Sequence, residues 1–373
     1  MAENKFVKEI HIGQKVIREG GRVFVIAEAG INHNGDIELA KRLVDMAVAA
    51  RADAVKFQTF KAEEEVTKKL QKVEYQKDNE GDDESYFEMI KKLEFSEAQW
   101  RELIEYCKEK GIIFLSTPSE EVSARMLHRL GVSAFKIGSN DLVTTPMLEE
   151  IAGWGKPMIL STGMATVDEI KEALATVSAA GNRDIILLHC TLSYPTSSQD
   201  LNLRAIETLR ETFSCLVGFS DHSGGVEAAP LAVALGAVVV ETHITLDKTL
   251  PGPDQSMALG PHEFTALVVA IRTIEGLDGE MREREIANTP NAELMLGNAE
   301  KRPTPAELEM RKATRKGIVA RRDIKKGEVI EKESLAFKRP YEGIPARAYR
   351  EVIGKKAVAD IAKDMFITQE FLI

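Results

Sequence analysis

Cysteine is scarce in this 373-residue chain. Cys107, Cys190 and Cys215 are too few and too scattered for a disulfide framework, and no CxxC spacing marks a zinc site. Such usage points to a reducing, cytoplasmic setting. Long apolar runs are also missing. No stretch approaches membrane-spanning length, and the opening MAENKFVKEIHIG lacks the apolar core of an export signal. Positive charge is outweighed: 49 Lys and Arg face 59 Asp and Glu, a formal net charge of −10. That field repels nucleic acid and anionic membrane, so neither is expected as a partner. An anionic substrate must be met by local cations.

Apolar residues make up 44% of the chain, enough for a large core and more than one domain. They recur in eight short runs: FVIAEAG (24–30), AVKFQTF (54–60), GIIFLSTP (111–118), AFKIGS (134–139), PMILSTG (157–163), IILLHCT (185–191), LVGFSDHS (216–223) and VVVETHITL (238–246). Between them lie segments of helical period, such as 37–52, 96–111 and 166–181. Strand–helix alternation predicts an α/β fold of parallel strands joined by crossovers. From Glu28 to Glu241 the runs are spaced by about 30 residues, as in a (β/α)8 TIM barrel of roughly 250 residues. A doubly wound open sheet is the alternative. The barrel is favoured because each run is apolar in its middle and polar at its C-terminal end, where barrel enzymes build active sites.

Residues 1–22 alternate as a β-hairpin that would cap the barrel bottom, and 23–278 form the barrel. The polar, Pro-containing and partly helix-compatible stretch 279–313 reads as a linker, and 314–373, with short strands and turn signals, as a small, mainly β domain. Residues 61–95, with the charge runs EEEVTKK and KDNEGDDES, read as a solvated loop or as a lid over the barrel mouth.

His222 and His243 end consecutive strands, a placement that suits two imidazoles on one divalent cation; hydrogen-bonded core histidines are the alternative. Glu241 and Asp221 stand by as further ligands or as orienting carboxylates. Lys56 and Lys136 each sit inside an apolar run, where a lysine needs a partner. They read as a Schiff-base pair, as structural ion pairs, or as an anion clamp, the last supported by the strand-end hydroxyls of Thr117, Ser139, Ser161 and Ser220. Glu28 closes an apolar strand ahead of the turn AGINHNG, which suits general acid–base work, whereas Asn32 and Asn34 suit the turn itself. Tyr194 and Pro195 suit either a substrate wall or packing.

Taken in order, IAEAGINHNG, VKFQTFKA, FLSTP, FKIGS, ILSTGM, HCTLSYPT, GFSDHSGG, ETHITLDKTLPGPD, RRDIKKGEVI and FKRPYEGI resemble the sialic acid synthase family over essentially the whole chain. The resemblance implies condensation of phosphoenolpyruvate (PEP), water and an N-acylated mannosamine-type sugar to a nine-carbon keto acid and phosphate. It implies a TIM barrel followed by an antifreeze-like (SAF) domain, in a domain-swapped homodimer. Lys56, Thr117, Lys136, Ser139, Ser161 and Ser220 match PEP-binding positions. His222 and His243 match ligands of a divalent metal, Mn2+ or Mg2+. Glu28, Gln58, Asp141, Tyr194, Glu241 and Asp254 match positions facing the reacting centre or the sugar. Arg339 matches the arginine that reaches from one subunit's tail into its partner's barrel.

Three departures, Leu192, Asp141 and Gln255, fall near the sugar side. The segment KVEYQK…DDESYFEMIKKLEF resembles bacterial N-acetylneuraminate and legionaminate synthases. N-acetylneuraminate is the first expectation and N,N'-diacetyllegionaminate the second. A scaffold with a carbohydrate- or ice-binding tail, and an octulosonate-type synthase, are the other classes; the charged barrel mouth disfavours the first, and the tail domain with FKRP disfavours the second.

Overall fold

The computed structural model describes residues 6–68, 70, 72 and 84–373. Strands β1 (Glu9–Ile12) and β2 (Lys15–Arg18) form an antiparallel hairpin. Eight strands follow: β3 (Phe24–Gly30), β4 (Ala54–Thr59), β5 (Ile113–Pro118), β6 (Phe135–Ile137), β7 (Met158–Ser161), β8 (Ile185–Cys190), β9 (Leu216–Asp221) and β10 (Val239–His243). They make one parallel sheet in the order β5-β4-β3-β10-β9-β8-β7-β6, a near-closed barrel whose end strands β5 and β6 lie side by side. All eight apolar runs are therefore barrel strands, and the open-sheet alternative falls.

The intervening helices start where the sequence supplies caps. Asp36 accepts from the Glu38 N–H, and Ser96 and Thr166 form capping boxes with Gln99 and Glu169, each cap contributing about 1 kcal/mol. Their apolar faces and the outward strand residues share the larger core.

The barrel interior has its own core, in which Phe24, Ile26, Leu115, Ile159, Ile186, Leu188, Leu216 and Val239 meet Ile10, Ile12 and Ile17 of the hairpin. The hairpin thus plugs the barrel floor. Gly218 belongs to this packing, since a Cβ there would lie 2.4 Å from the Val239 carbonyl oxygen.

Side chains alternate across a strand, so counting by two from this core leads to the mouth. The inward series run Phe24–Ile26–Glu28, Ala54–Lys56–Gln58, Leu115–Thr117, Ile159–Ser161 and Val239–Glu241–His243.

The stretch 279–313, partly helix-compatible in sequence, joins the barrel to the C-terminal module. It holds helices Gly279–Asn288, Ala292–Leu296 and Pro305–Thr314. Ala292, Met295 and Leu296 are buried in the barrel's outer core, which gives these otherwise polar segments a surface to fold against. After it, β11 (Gly317–Ala320) and β12 (Leu335–Lys338) pair antiparallel in a module with its own core, which includes Ile318, Ile330, Val352 and Ile367. Of the 61–95 segment, Ala62–Glu65 and Tyr86–Lys92 are helical. Ile31, Phe60, Leu70, Met89 and Ile90 form an apolar cluster beneath it, so the part seen is not merely solvated loop. Most of the KDNEGDDES run lies outside the described residues. Among the described residues, no helix is long and apolar enough to cross a membrane.

Candidate active site

One cavity at the C-terminal mouth of the barrel, about 1170 Å³ including its open entrance, is lined by all the residues matched to the family's PEP, metal and sugar positions, whereas Asp221, the other candidate ligand, is buried outside its lining. Parallel register sets them at one level: His243 lies opposite Glu28, Glu28 opposite Lys56, Gln58 opposite Thr117 and Glu241 opposite Ser220.

Four buried charges form the floor. Lys56 Nζ is 2.6 Å from Glu28 and 3.8 Å from Glu241, and Lys136 Nζ is 3.5 Å from Glu241. Lys56 also donates to Thr117 Oγ1 at 2.8 Å, Lys136 to Ser161 Oγ at 2.7 Å, and Ser220 to Glu241 at 3.0 Å. Ser139 Oγ accepts from the Gly163 N–H at 3.0 Å. Burying an ion costs several kcal/mol, so such a quartet persists only where the charges compensate one another.

Burial raises the Glu28 carboxyl above its ordinary value against the pull of Lys56. Burial would lower Lys56, but Glu241 and Glu28 outweigh it and the ammonium lies above its usual range. Both groups of the Glu28–Lys56 pair are thus shifted upward, the carboxyl by burial and the ammonium by its two carboxylate neighbours. Burial raises Glu241 less than Lys136 and Lys56 lower it, leaving it at about 2. Lys136 is lowered, because burial and the neighbouring Lys56 exceed what Glu241 returns. Lys136 is therefore the cation of the quartet that gains most from an added anion.

His222 and His243 stand above this floor with ring centroids 5.7 Å apart. His222 Nδ1 meets the Thr191 carbonyl at 2.9 Å, which turns Nε2 toward weak 3.4 Å contacts with Ser220 and Tyr194. His243 Nδ1 is buried without a hydrogen bond and lies 4.0 Å from Asp254. Burial, His222 and Lys56 hold His243 near 3, so it is a neutral imidazole. Burial lowers His222, but Cys190 outweighs it and the ring sits at about 9. The unpartnered Nδ1 of His243 and the weakly bonded Nε2 of His222, on rings 5.7 Å apart, suit a divalent cation that would displace the His222 proton, with the remaining positions left to water or substrate. Among the described residues, no group of three or more His, Cys, Asp or Glu is arranged to hold a metal by itself.

The other end of the cavity comes from the C-terminal module and the 61–95 segment. Arg339 pairs with buried Glu65 at 3.2 Å and donates to the Tyr86 hydroxyl at 3.1 Å. Within the single chain described, Arg339 lines the cavity beside its own barrel, its backbone paired with Glu65 and Thr67. Tyr86 and Glu65 escaped the sequence reading, yet the S-x-x-E box at Ser85–Glu88 marks the helix that brings Tyr86 in.

Asp141 lines the cavity but is held at 2.7 Å by Lys316, a partner no local pattern reveals. Gln255 is buried outside the cavity lining. It accepts from Thr245 Oγ1 and donates to the Asn32 carbonyl, so this departure braces a loop rather than facing the sugar side.

Residues 43–283 match the model of the NeuB family, and residues 315–373 match the SAF domain. The chain is 40% identical to the N,N'-diacetyllegionaminic acid synthase of Campylobacter jejuni, over 93% of this chain and 99% of that one. It is 35% identical to the human N-acetylneuraminate-9-phosphate synthase, over 93% and 92%. Among solved structures, the spore coat polysaccharide biosynthesis protein SpsE of Bacillus subtilis superposes with a TM-score of 0.81 at 36% identity, covering 98% of this chain and 99% of that one. A family match across most of the barrel, with relatives aligned nearly end to end, makes this chain a member of the NeuB family of sialic-acid-type synthases, carrying a C-terminal SAF domain.

Proposed function

We propose that the chain condenses PEP and water with an N-acylated mannosamine-type sugar, releasing phosphate and a nine-carbon 2-keto-3-deoxy sugar acid. The observation that carries this is the set of two lysines and four hydroxyls beside a facing histidine pair, all on one barrel mouth. Lys56, Lys136, Thr117, Ser139, Ser161 and Ser220 hold the carboxylate and phosphate of PEP, so a Schiff base is not needed. His222 and His243 hold a divalent cation, Mn2+ or Mg2+; the chemistry it supplies when bound is polarisation of the sugar aldehyde and of water. C3 of PEP forms the new bond to the aldehyde carbon, water adds at C2, and phosphate leaves from C2. Glu28 moves the proton on the aldehyde oxygen or the attacking water, with Lys56 as its charge partner. Gln58, Asp141, Tyr194, Asp254 and Arg339 face the sugar, and Arg339 contacts its N-acyl group.

N-acetylmannosamine is the first acceptor and N-acetylneuraminate its product. A second acceptor, 2,4-diacetamido-2,4,6-trideoxymannose, is favoured by two observations: the 40% identity to a legionaminic acid synthase, and the apolar wall of Ile31, Phe60, Leu70 and Ile90. That wall suits acetamido and 6-deoxy methyl groups. Phosphate release from PEP, measured with each sugar and Mn2+ or Mg2+, decides between them, and no turnover with either sinks the proposal. Because PEP is a cytoplasmic metabolite, the enzyme is placed there.

The homodimer is proposed with exchanged tails, so that the contacts of Arg339 with residues 65–67 form between two chains. Unfolding and refolding a mixture of Lys56→Ala and Arg339→Ala, assayed at a sugar concentration too low for either variant to turn over appreciably, restores activity if tails are exchanged, since one site of each mixed dimer is then intact.

A further inference from the structure

Glu307 lies on helix Pro305–Thr314, outside the barrel, and is 1% exposed. One carboxylate oxygen accepts two backbone N–H groups from different strand-end loops: Met164, after β7, at 2.7 Å and Leu192, after β8, at 2.9 Å. The other oxygen accepts the Thr304 N–H at 2.8 Å and closes the helix's own capping box. None of these atoms belongs to the catalytic groups, yet each loop carries some. Met164 follows Ser161 and Gly163, the latter bonded to Ser139 Oγ. Leu192 follows Thr191, whose carbonyl orients His222, and precedes Tyr194.

Met164 shows that the tie has a cost to meet. It is a non-glycine residue at φ +58°, a conformation that disfavours an L side chain by about 1 kcal/mol. Its N–H is held by Glu307 and its carbonyl by Arg311 of the same helix. A charged acceptor holding two N–H groups is stronger than a neutral one.

We infer that Glu307 is a positioning residue: by tying the loops after β7 and β8 to the helix that leads into the SAF domain, it sets Ser161, Ser139 and His222 for the reaction. The kinetic part of the test rests on the proposed condensation; hydrogen exchange at Met164 and Leu192 needs no substrate.

Four variants separate the roles. Glu307→Ala removes the acceptor, Glu307→Met removes it while filling the space, Glu307→Gln keeps one acceptor oxygen, and Thr304→Ala weakens only the helix cap. In Glu307→Ala and Glu307→Met, the Met164 and Leu192 amides are expected to exchange at least tenfold faster. In the same variants kcat/KM for PEP falls by about tenfold to a hundredfold, as for misplaced groups. Glu307→Gln recovers most of both losses, and Thr304→Ala stays within about threefold of the parent.

Unchanged exchange at both amides in a folded Glu307→Ala or Glu307→Met overturns the inference. So does faster exchange with unchanged kinetics, or a Thr304→Ala or Glu307→Gln that falls as far as Glu307→Ala. Glu307→Met is read alone if Glu307→Ala does not fold. If the parent enzyme itself turns over neither sugar, the proposed function fails, and the exchange result alone decides this inference.

Discussion

Lys56 and Glu28 stand opposite one another on adjacent parallel strands, ammonium 2.6 Å from carboxylate, both almost wholly buried. Neither is stable there without the other: removing one partner of a buried pair costs about 3–5 kcal/mol, because the remaining charge is left uncompensated. Together they put a buried ion pair beside the proposed PEP-binding hydroxyls.

Glu28→Gln is therefore expected to keep PEP affinity, or to improve it, because Lys56 loses its carboxylate competitor. Turnover falls by about 10²–10⁴, the usual contribution of a general acid–base. Calorimetric PEP binding and phosphate release read the two separately. A variant with parent-like kcat would remove Glu28 from the chemistry.

His222→Asn and His243→Asn should each abolish high-affinity Mn2+ binding, read by electron paramagnetic resonance without any turnover. In the parent, chelation stops phosphate release and added Mn2+ or Mg2+ restores it. Mn2+ bound equally by parent and both variants would place the cation elsewhere.

Arg339→Ala should raise KM for the sugar at least tenfold while KM for PEP stays within about twofold, if Arg339 meets the acceptor as proposed. It also strands Glu65, whose carboxyl burial already holds above its ordinary value. Stability drops by up to about 3 kcal/mol. Adding Glu65→Gln should recover stability without recovering KM. An equal rise in both KM values would contradict the assignment.

Stability should fall as the solution is acidified below pH 6.5. Burial holds His33 near 4, against the opposing charge of Asp36, and holds His189 near 3, where Lys301 lowers it further. Both are depressed, so their contribution is present above pH 6.5 and is lost as pH falls toward 4. In that window the unfolded chain binds protons that the native one does not. Each histidine contributes about 1.4 kcal/mol per pH unit there, roughly 3 kcal/mol from His33 by pH 4. Urea midpoints from pH 7 to 4 measure the slope. His189→Gln, which can still donate to the Leu201 carbonyl that His189 Nε2 meets at 2.7 Å, should flatten it. An unchanged slope would show that His189 does not take part.

Strand placement and the polar ends of strands were legible from order along the chain alone. Strand residues face alternate sides every second position, so Glu28, Lys56, Glu241 and His243 follow from their place in an apolar run, whatever lies across the barrel. Helix starts were legible for the same reason, since a cap such as Thr166–Glu169 closes over three residues. The motifs carried the family as well, because each is a short strand-end segment.

What the chain order hid is what docking creates. The helices within 279–313 are polar enough to read as linker, and Ala292, Met295 and Leu296 find their apolar partners only on the finished barrel. Glu307 looks like an ordinary capping residue until Met164 and Leu192, more than a hundred positions away, bring their N–H groups to it. Gln255 looked like a sugar-side departure but is engaged by Asn32, and Asp141, which does line the cavity, is held there by Lys316, both through contacts between distant segments. Periodicity and capping are properties of neighbouring residues, so the sequence by itself determined the barrel and the groups at its mouth. Only the tertiary structure decided which buried charges compensate each other and which loops are tied together, because those energies depend on distances between segments far apart in the chain.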